Sequence, residues 1–235
     1  MKDLFGKAIL DYQTKDASED LITETSISEA DEMPVSYLFR TYNEMPKLEQ
    51  KALQLAKGNV LDVGCGAGSH SLALQNERNL EVTAIDISEN AVKACHHRGL
   101  KNVFVMHLLD LNPSTKFDTI LLLMNGTGIF GTLKETDNYL QKLKSLLNKN
   151  GQILIDSSDL IYMYDQDEEG AYSIPADGYY GELTFTVHYK GETEDTFPWL
   201  YLDYNTLQNA AIANGLNCEL VLEGDHFDYL AKLSL

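Results

Sequence analysis

The sequence is poor in cysteine, in basic charge and in long apolar runs, and each shortage excludes something. Its three cysteines (Cys65, Cys95 and Cys218) are an odd number, widely spaced, with no CxxC pair. Such a set suits neither a disulfide framework nor a zinc knuckle, so a reduced, cytoplasmic setting is expected. No apolar run approaches the roughly 20 residues that span a bilayer, and a membrane is not an expected partner. The opening Met1-Lys2-Asp3-Leu4 lacks the basic-then-apolar order of a signal peptide. Lys and Arg number 18 against 36 Asp and Glu, a net charge of −18. The imbalance is local: residues 1–35 hold nine acids and three bases, and residues 159–203 hold eleven acids and one base, Lys190. Surfaces of that sign repel a phosphate backbone, so nucleic acid is not expected as a partner. The plain role of the acids is solubility. The sharper one is attraction of a cationic or amine-bearing small molecule.

What is present is an ordinary globular composition, 44% hydrophobic and 23% charged over 235 residues, enough for one sizeable core. Residues 11–32 are polar with few apolar anchors and read as a mobile lead or lid. A helix fits 46–57, with Leu48, Ala52, Leu55 and Ala56 on one face and Gly58 as its stop. An alternation follows. Strands are expected at 60–63, 82–85, 103–106, 119–124 and 152–156. Helices are expected from Ser69, from the cap Ser88 to Gly99, and from a capping box at Thr132 and Glu135. Continuous apolar strands alternating with amphipathic helices imply an α/β fold with a parallel sheet covered on both faces. The rhythm breaks at residues 160–203, where alternating Leu183, Phe185, Val187 and Tyr189 predict antiparallel strands. A helix at 206–214 and a hairpin of strands 218–222 and 229–233 close the chain. The expected organisation is a lead at 1–45 and one domain at 46–235, with 160–203 an insertion covering the active edge.

The most informative segment is Val60-Leu61-Asp62-Val63-Gly64-Cys65-Gly66-Ala67-Gly68. Glycines between a strand and a helix let backbone pass close to a ligand, and the helix start offers free N–H groups. Asp86 ends the next strand, eighteen residues after Gly68, where a carboxylate can accept both hydroxyls of a ribose. Asp110 follows the third strand, within reach of an adenine amino group. Dinucleotide sites favour G-x-G-x-x-G, whose third glycine would fall at Ser69 and not at Gly68. The acid ahead of the glycines, Asp62, would repel a pyrophosphate but attract an ammonium.

Together, Asp62-x-Gly64-x-Gly66-x-Gly68, Asp86 and Asp110 resemble the motifs of the class I S-adenosylmethionine-dependent methyltransferases. The likeness of strand and helix order runs from about residue 46 to 158 and resumes in the closing helix and hairpin. It implies a Rossmann-like, doubly wound, mostly parallel seven-stranded sheet with an antiparallel C-terminal hairpin, here with a β-rich insertion. It further implies S-adenosylmethionine as cofactor, with Gly64 and Gly66 under its methionine part and Asp86 on the ribose. Ile87 would pack on the adenine, Asp110 and Leu111 would lie at its amino edge, and Met124-Asn125 beside the methionine end. The chain as a whole, including Tyr37-Leu38-Phe39-Arg40-Thr41-Tyr42 and Leu122-Leu123-Met124-Asn125-Gly126, resembles a small bacterial subgroup.

Other residues carry two readings. Arg40 either clamps the cofactor carboxylate or stacks on its aromatic neighbours. Asn125 lacks the prolines and aromatic of nucleobase amino-methylating enzymes, and Asn125-Gly126-Thr127-Gly128 leaves room for a ligand or merely caps a loop. Cys95-His96-His97 point in different directions on a helix, so no metal site is expected. His70, His188 and His226 are the histidines considered as proton acceptors, and Ser157 and Asp159 lie at the active edge. Tyr162, Tyr164, Tyr172, Tyr179, Tyr180, Trp199 and Tyr201 are candidates to line a pocket. The expected activity is in-line methyl transfer to a small-molecule acceptor. A non-catalytic S-adenosylmethionine-binding module and a nicotinamide-dependent oxidoreductase are the alternatives. Acceptor and oligomeric state are not encoded in any motif.

Overall fold

A computed structural model describes residues 2–15 and 18–235; Met1, and residues 16 and 17 of the acidic lead, lie outside the described residues. The chain opens with α1 (Leu4–Thr14) and the strands β1 (Leu21–Thr25) and β2 (Ser28–Met33), and α2 (Lys47–Leu55) leads into the alternating unit. That unit runs β3 (Asn59–Val63), α3 (Ser69–Glu77), β4 (Glu81–Asp86), α4 (Glu89–His97), β5 (Val103–Val105), β6 (Phe117–Leu122), α5 (Thr136–Leu146) and β7 (Leu147–Ser158). Then come β8 (Glu182–Tyr189), β9 (Glu192–Thr193), β10 (Phe197–Leu200), α6 (Tyr204–Ala213), β11 (Asn217–Glu223) and β12 (Asp228–Ser234).

The main sheet has seven strands in the order β11-β12-β7-β6-β3-β4-β5. It is parallel from β7 to β5, and β12 and β11 join antiparallel as a hairpin. Strand side chains alternate between faces, and both faces here are apolar. Val60, Val82, Leu121 and Leu154 pack beneath Leu48, Ala52 and Leu53 of α2 and Leu74 of α3. Leu61, Ile85, Ile120 and Ile155 pack with Leu140 and Leu143 of α5 and Leu207 of α6. The chain enters at β3, steps outward to β5, then returns to β6 on the other side of β3. Strand order reverses there, which opens a crevice at the C-terminal strand edge.

A second, antiparallel sheet has the order β10-β8-β1-β2, with β9 on β8. Residues 11–32, read from the sequence as a mobile lead or lid, contain the end of α1, β1 and most of β2, and β1 pairs with β8 in register, Ile22 opposite His188 and Thr23 opposite Val187. The lead and the insertion therefore build one sheet. A strand whose partner lies that far along the chain, and whose two apolar residues, Leu21 and Ile22, are adjacent, carries no alternating apolar signature. The capping box at Thr132 and Glu135 also does not form. Thr132 makes no side-chain cap, a short 3-10 turn (Leu133–Glu135) precedes α5, and the Leu133 N–H donates to Glu182 at 2.5 Å. The donors such a box would use bond to backbone instead, the Glu135 N–H to the Thr132 carbonyl at 3.1 Å and the Thr132 N–H to the Phe130 carbonyl at 2.9 Å.

Helix α1 packs on α4 and β8. Its free N-terminal donors are met by Glu194, which accepts from the N–H groups of Lys2 at 2.6 Å and Leu4 at 3.0 Å. Asp11 accepts from the Tyr189 hydroxyl at 3.0 Å and the Lys190 ammonium at 2.7 Å. Among the described residues no helix is long and apolar enough to cross a membrane. Replacing Glu194 by Ala strands two backbone donors, and we expect a loss of about 1–3 kcal/mol in urea unfolding. A variant as stable as the parent would show that α1 docks without this carboxylate.

Candidate active site

The crevice is built around the bend after β3. Gly64 and Gly66 sit at φ 70° and 52°, left-handed positions that glycine occupies without strain. The Gly66 N–H donates to one oxygen of Asp86 at 2.8 Å, and the other oxygen accepts from the Ser88 N–H at 2.9 Å. Burial pushes the Asp86 carboxyl above its ordinary value, and these two N–H groups pull it back. One carboxylate thus joins two successive strand-to-helix turns.

A cavity of about 700 Å³ opens over this bend, within the size range of small-ligand sites. Of the residues named from the sequence, Arg40, Gly64, Gly66, Asp86, Ile87, Met124 and Asn125 line it. Asp62, Gly68, Asp110 and Leu111 are not brought to its wall. Asp62 is buried beneath the bend, where it accepts from the Ser71 hydroxyl at 2.6 Å, and burial raises its pKa. Gly68 starts α3, and a Cβ there would lie 2.8 Å from the Cys95 sulfur. Asp110 is exposed at the end of a 3-10 turn (Leu108–Asp110), and Leu111 packs on the main core. The reason is strand length. β5 ends at Val105, so Met106, His107 and Leu108 occupy the edge and line the cavity. His107 was missed by sequence reasoning. Its position two residues past the strand would have identified it had the strand end been set correctly.

The methionine end implied by the motif is surrounded by buried charge. Arg40 and Glu49 have side chains only 9% and 5% exposed, and one Arg40 nitrogen, Nη2, donates to both Glu49 oxygens at 2.8 and 2.9 Å. The guanidinium also lies 3.5 Å from the centroid of the Tyr37 ring. The same Glu49 carboxylate holds His70 Nε2 at 2.6 Å. Burial pulls the His70 pKa down, but Glu49, Asp62 and Asp156 outweigh it and the net shift is upward. Arg40 Nε and Nη1 are buried with no partner. Orphaned donors of a charged group are costly, and the Arg40 side chain borders the cavity. The stacking reading of Arg40 is met by its contact with Tyr37.

Beyond β6, Met124 and Asn125 adopt φ 65° and 60°. Asp156, at the edge of β7, accepts from the N–H groups of Met124 at 3.0 Å and Gly126 at 2.9 Å and so pins this strained pair. Asn125 is occupied: it donates to the Leu200 carbonyl at 3.2 Å and accepts from Ser157 at 2.9 Å. The room left by Gly128 is filled by protein, since a Cβ there would overlap the Trp199 indole. Of the aromatics expected in a pocket, Trp199 and Tyr201 line the cavity. Tyr179 and Tyr180 instead donate to Asp203 and Asp159, each at 2.7 Å. His188 lies on the second sheet against Thr193 and Glu24, and His226 is exposed in the β11–β12 turn.

Burial pushes Asp156 from 3.8 up to about 7, with Glu49 adding to the rise. A raised carboxyl favours the folded state at low pH. Its contribution is complete below about 3.8 and is lost as pH climbs through about 7. We expect unfolding free energy to fall across that window, by at most about 1.4 kcal/mol per pH unit from this group, and Asp156→Asn to flatten the slope. Parallel pH profiles for parent and variant would refute this.

Residues 55–192 match the family model described as a methyltransferase domain. A solved S-adenosylmethionine-dependent methyltransferase from Bacteroides fragilis, in complex with S-adenosyl-L-homocysteine, is 44% identical with a TM-score of 0.91, covering 100% of this chain and 95% of that one. The sugar N-methyltransferase KedS8 from Streptoalloteichus shares the fold, with 13% identity and a TM-score of 0.60 over 88% of this chain and 94% of that one. A tRNA U34 carboxymethyltransferase from Alteromonas mediterranea is 29% identical over 110 residues, 42% of this chain and 32% of that protein. The chain spans about a third of the length of such curated relatives. A cavity floored by a glycine bend and a strand-end carboxylate, on this sheet and with these matches, has one account: the chain belongs to the S-adenosylmethionine-dependent methyltransferases, and S-adenosylmethionine is its cofactor.

Proposed function

We propose that the acceptor is a small organic molecule, held in the same cavity as the methyl donor and covered by residues 1–45 and 160–203 acting together. The observation that carries this reading is the continuity of the cavity. It runs from Gly64, Gly66 and Asp86 to Phe185, Phe197 and Trp199 on the second sheet. In this reading the free Nε and Nη1 of Arg40 bind the carboxylate of the methionine part, over the Gly64–Gly66 backbone. Asp86 accepts from the ribose hydroxyls, Ile87 and Met106 pack on the adenine, and His107 meets its polar edge. Met124 and Asn125 border the methyl end. Asp62 supports the bend from below, and Gly68 lets α3 approach α4.

When bound, the cofactor supplies an electrophilic methyl group on a positively charged sulfur. The chain's own task is then to hold an acceptor lone pair in line with it and to keep water out. The second sheet and α1 do both, since they close the cavity on the side away from the main sheet.

The names of the curated relatives raise tRNA as a rival acceptor. The acids concentrated in residues 1–35 and 159–203, the two segments that cover the site, oppose it. Incubation with labelled S-adenosylmethionine, tRNA and a small-metabolite extract separates the two. Label is expected in the small-molecule fraction, and label in tRNA would overturn the proposal. For the cofactor end, Arg40→Lys keeps a charge beside Glu49 but loses the planar fork. Calorimetry with S-adenosylhomocysteine should show affinity reduced about tenfold or more. Undiminished affinity would remove the clamp.

A further inference from the structure

Resting on that reading, we infer that the cavity face built by the second sheet is a subsite for an amine carried on an apolar, ring-bearing body. Phe185, Phe197 and Trp199 stand in mutual contact there, with ring centroids 6.0, 6.2 and 6.1 Å apart. Phe5, Ile9, Met33 and Val187 continue the face. It is an apolar, ring-bearing surface of the kind that stacks on a planar group. Trp199 is fixed in place because Gly128, with no side chain, lets the indole lie on the loop after β6.

The charge around this face selects the sign of the ligand. Asp3, Asp86 and Glu194 line the cavity. Asp3 accepts from the Ser88 hydroxyl and the Asn90 amide, each at 2.9 Å, and Glu194 holds the start of α1. These carboxylates contribute field more than contact. Arg40, the arginine on the wall, is committed to Glu49 and Tyr37 and faces the cofactor end. An anionic acceptor meets repulsion, whereas a cation over aromatic faces is attracted.

The chemistry narrows the class further. A phenol or alcohol needs a base at the moment of attack. Of the lining histidines, His70 is held by Glu49, and His107 accepts from the Leu109 N–H at 3.2 Å and lies 3.4 Å from the Tyr139 hydroxyl. Burial pushes the Tyr201 hydroxyl up to about 12, so it keeps its proton. An amine needs no base at the moment of attack. The bound ammonium first releases a proton to water, the lone pair so freed forms the new N–C bond as the S–C bond breaks, sulfur keeps that electron pair, and the surplus proton on the methylated nitrogen then leaves to water.

Trp199 is the single tryptophan of the chain, so its emission reports on the subsite directly. The test titrates the S-adenosylhomocysteine-loaded protein with phenethylamine and with hydrocinnamate, which share a ring and differ in charge. Phenethylamine should shift the emission saturably and bind at least about tenfold more tightly. With S-adenosylmethionine in place of the product, mass spectrometry should find one methyl group added to the amine. Trp199→Ala should raise KM for the amine about tenfold or more while S-adenosylhomocysteine affinity holds, and Trp199→Phe, which keeps a ring, should restore most of it. Equal or tighter binding of hydrocinnamate, an unresponsive emission, or an unchanged KM in Trp199→Ala would each overturn the inference. Failure of S-adenosylhomocysteine to bind at all would instead strike the cofactor assignments, and this subsite with them.

Discussion

The site depends on a carboxylate that stabilises backbone. Asp86 takes the Gly66 N–H on one oxygen and the Ser88 N–H on the other, and so fixes the bend after β3 relative to the start of α4. Without an acceptor there, the bend would expose unpaired donors at the one edge where the sheet's strand order reverses. The bend must also lack side chains, since its residues pass close to whatever the cavity holds. Both demands are met within a few residues, and the helices on either side are positioned by the result.

A second constraint is how buried charge is shared at the methionine end. Glu49 serves two side chains, Arg40 and His70, each within hydrogen-bond distance of its carboxylate. Arg40 is thereby oriented by one nitrogen, and its two others are buried without a partner. Asp156 does the comparable work for backbone, pinning the strained Met124-Asn125 pair at the opposite lip.

The second sheet closes the site because two remote segments need each other. β1 and β2 have little apolar content, and β8 and β10 would present an open edge without β1. Paired, they give a face whose aromatic side chains Phe185, Phe197 and Trp199 line the cavity. The Trp199–Gly128 contact locks that face to the main sheet.

The sequence by itself determined the alternation of strands and helices in the main sheet, the glycine bend after β3 and the place of Asp86 at the end of β4. Each is written locally, as an apolar strand, a turn and a helix start within a few tens of residues, and backbone geometry follows from that pattern alone. It also determined the antiparallel character of residues 182–189, through their strict alternation. Only the tertiary structure decided that the acidic lead supplies two of the five strands of the second sheet, that Glu182 accepts from the Leu133 N–H, and that Glu49 binds Arg40 and His70. Those outcomes rest on partners far apart in the chain, which no local window contains. The exchange of Asp110 for His107 at the cavity edge has a smaller cause. A strand that stops at Val105 turns a different side chain toward the crevice, and strand ends are set by packing against neighbours more than by the residues at the end.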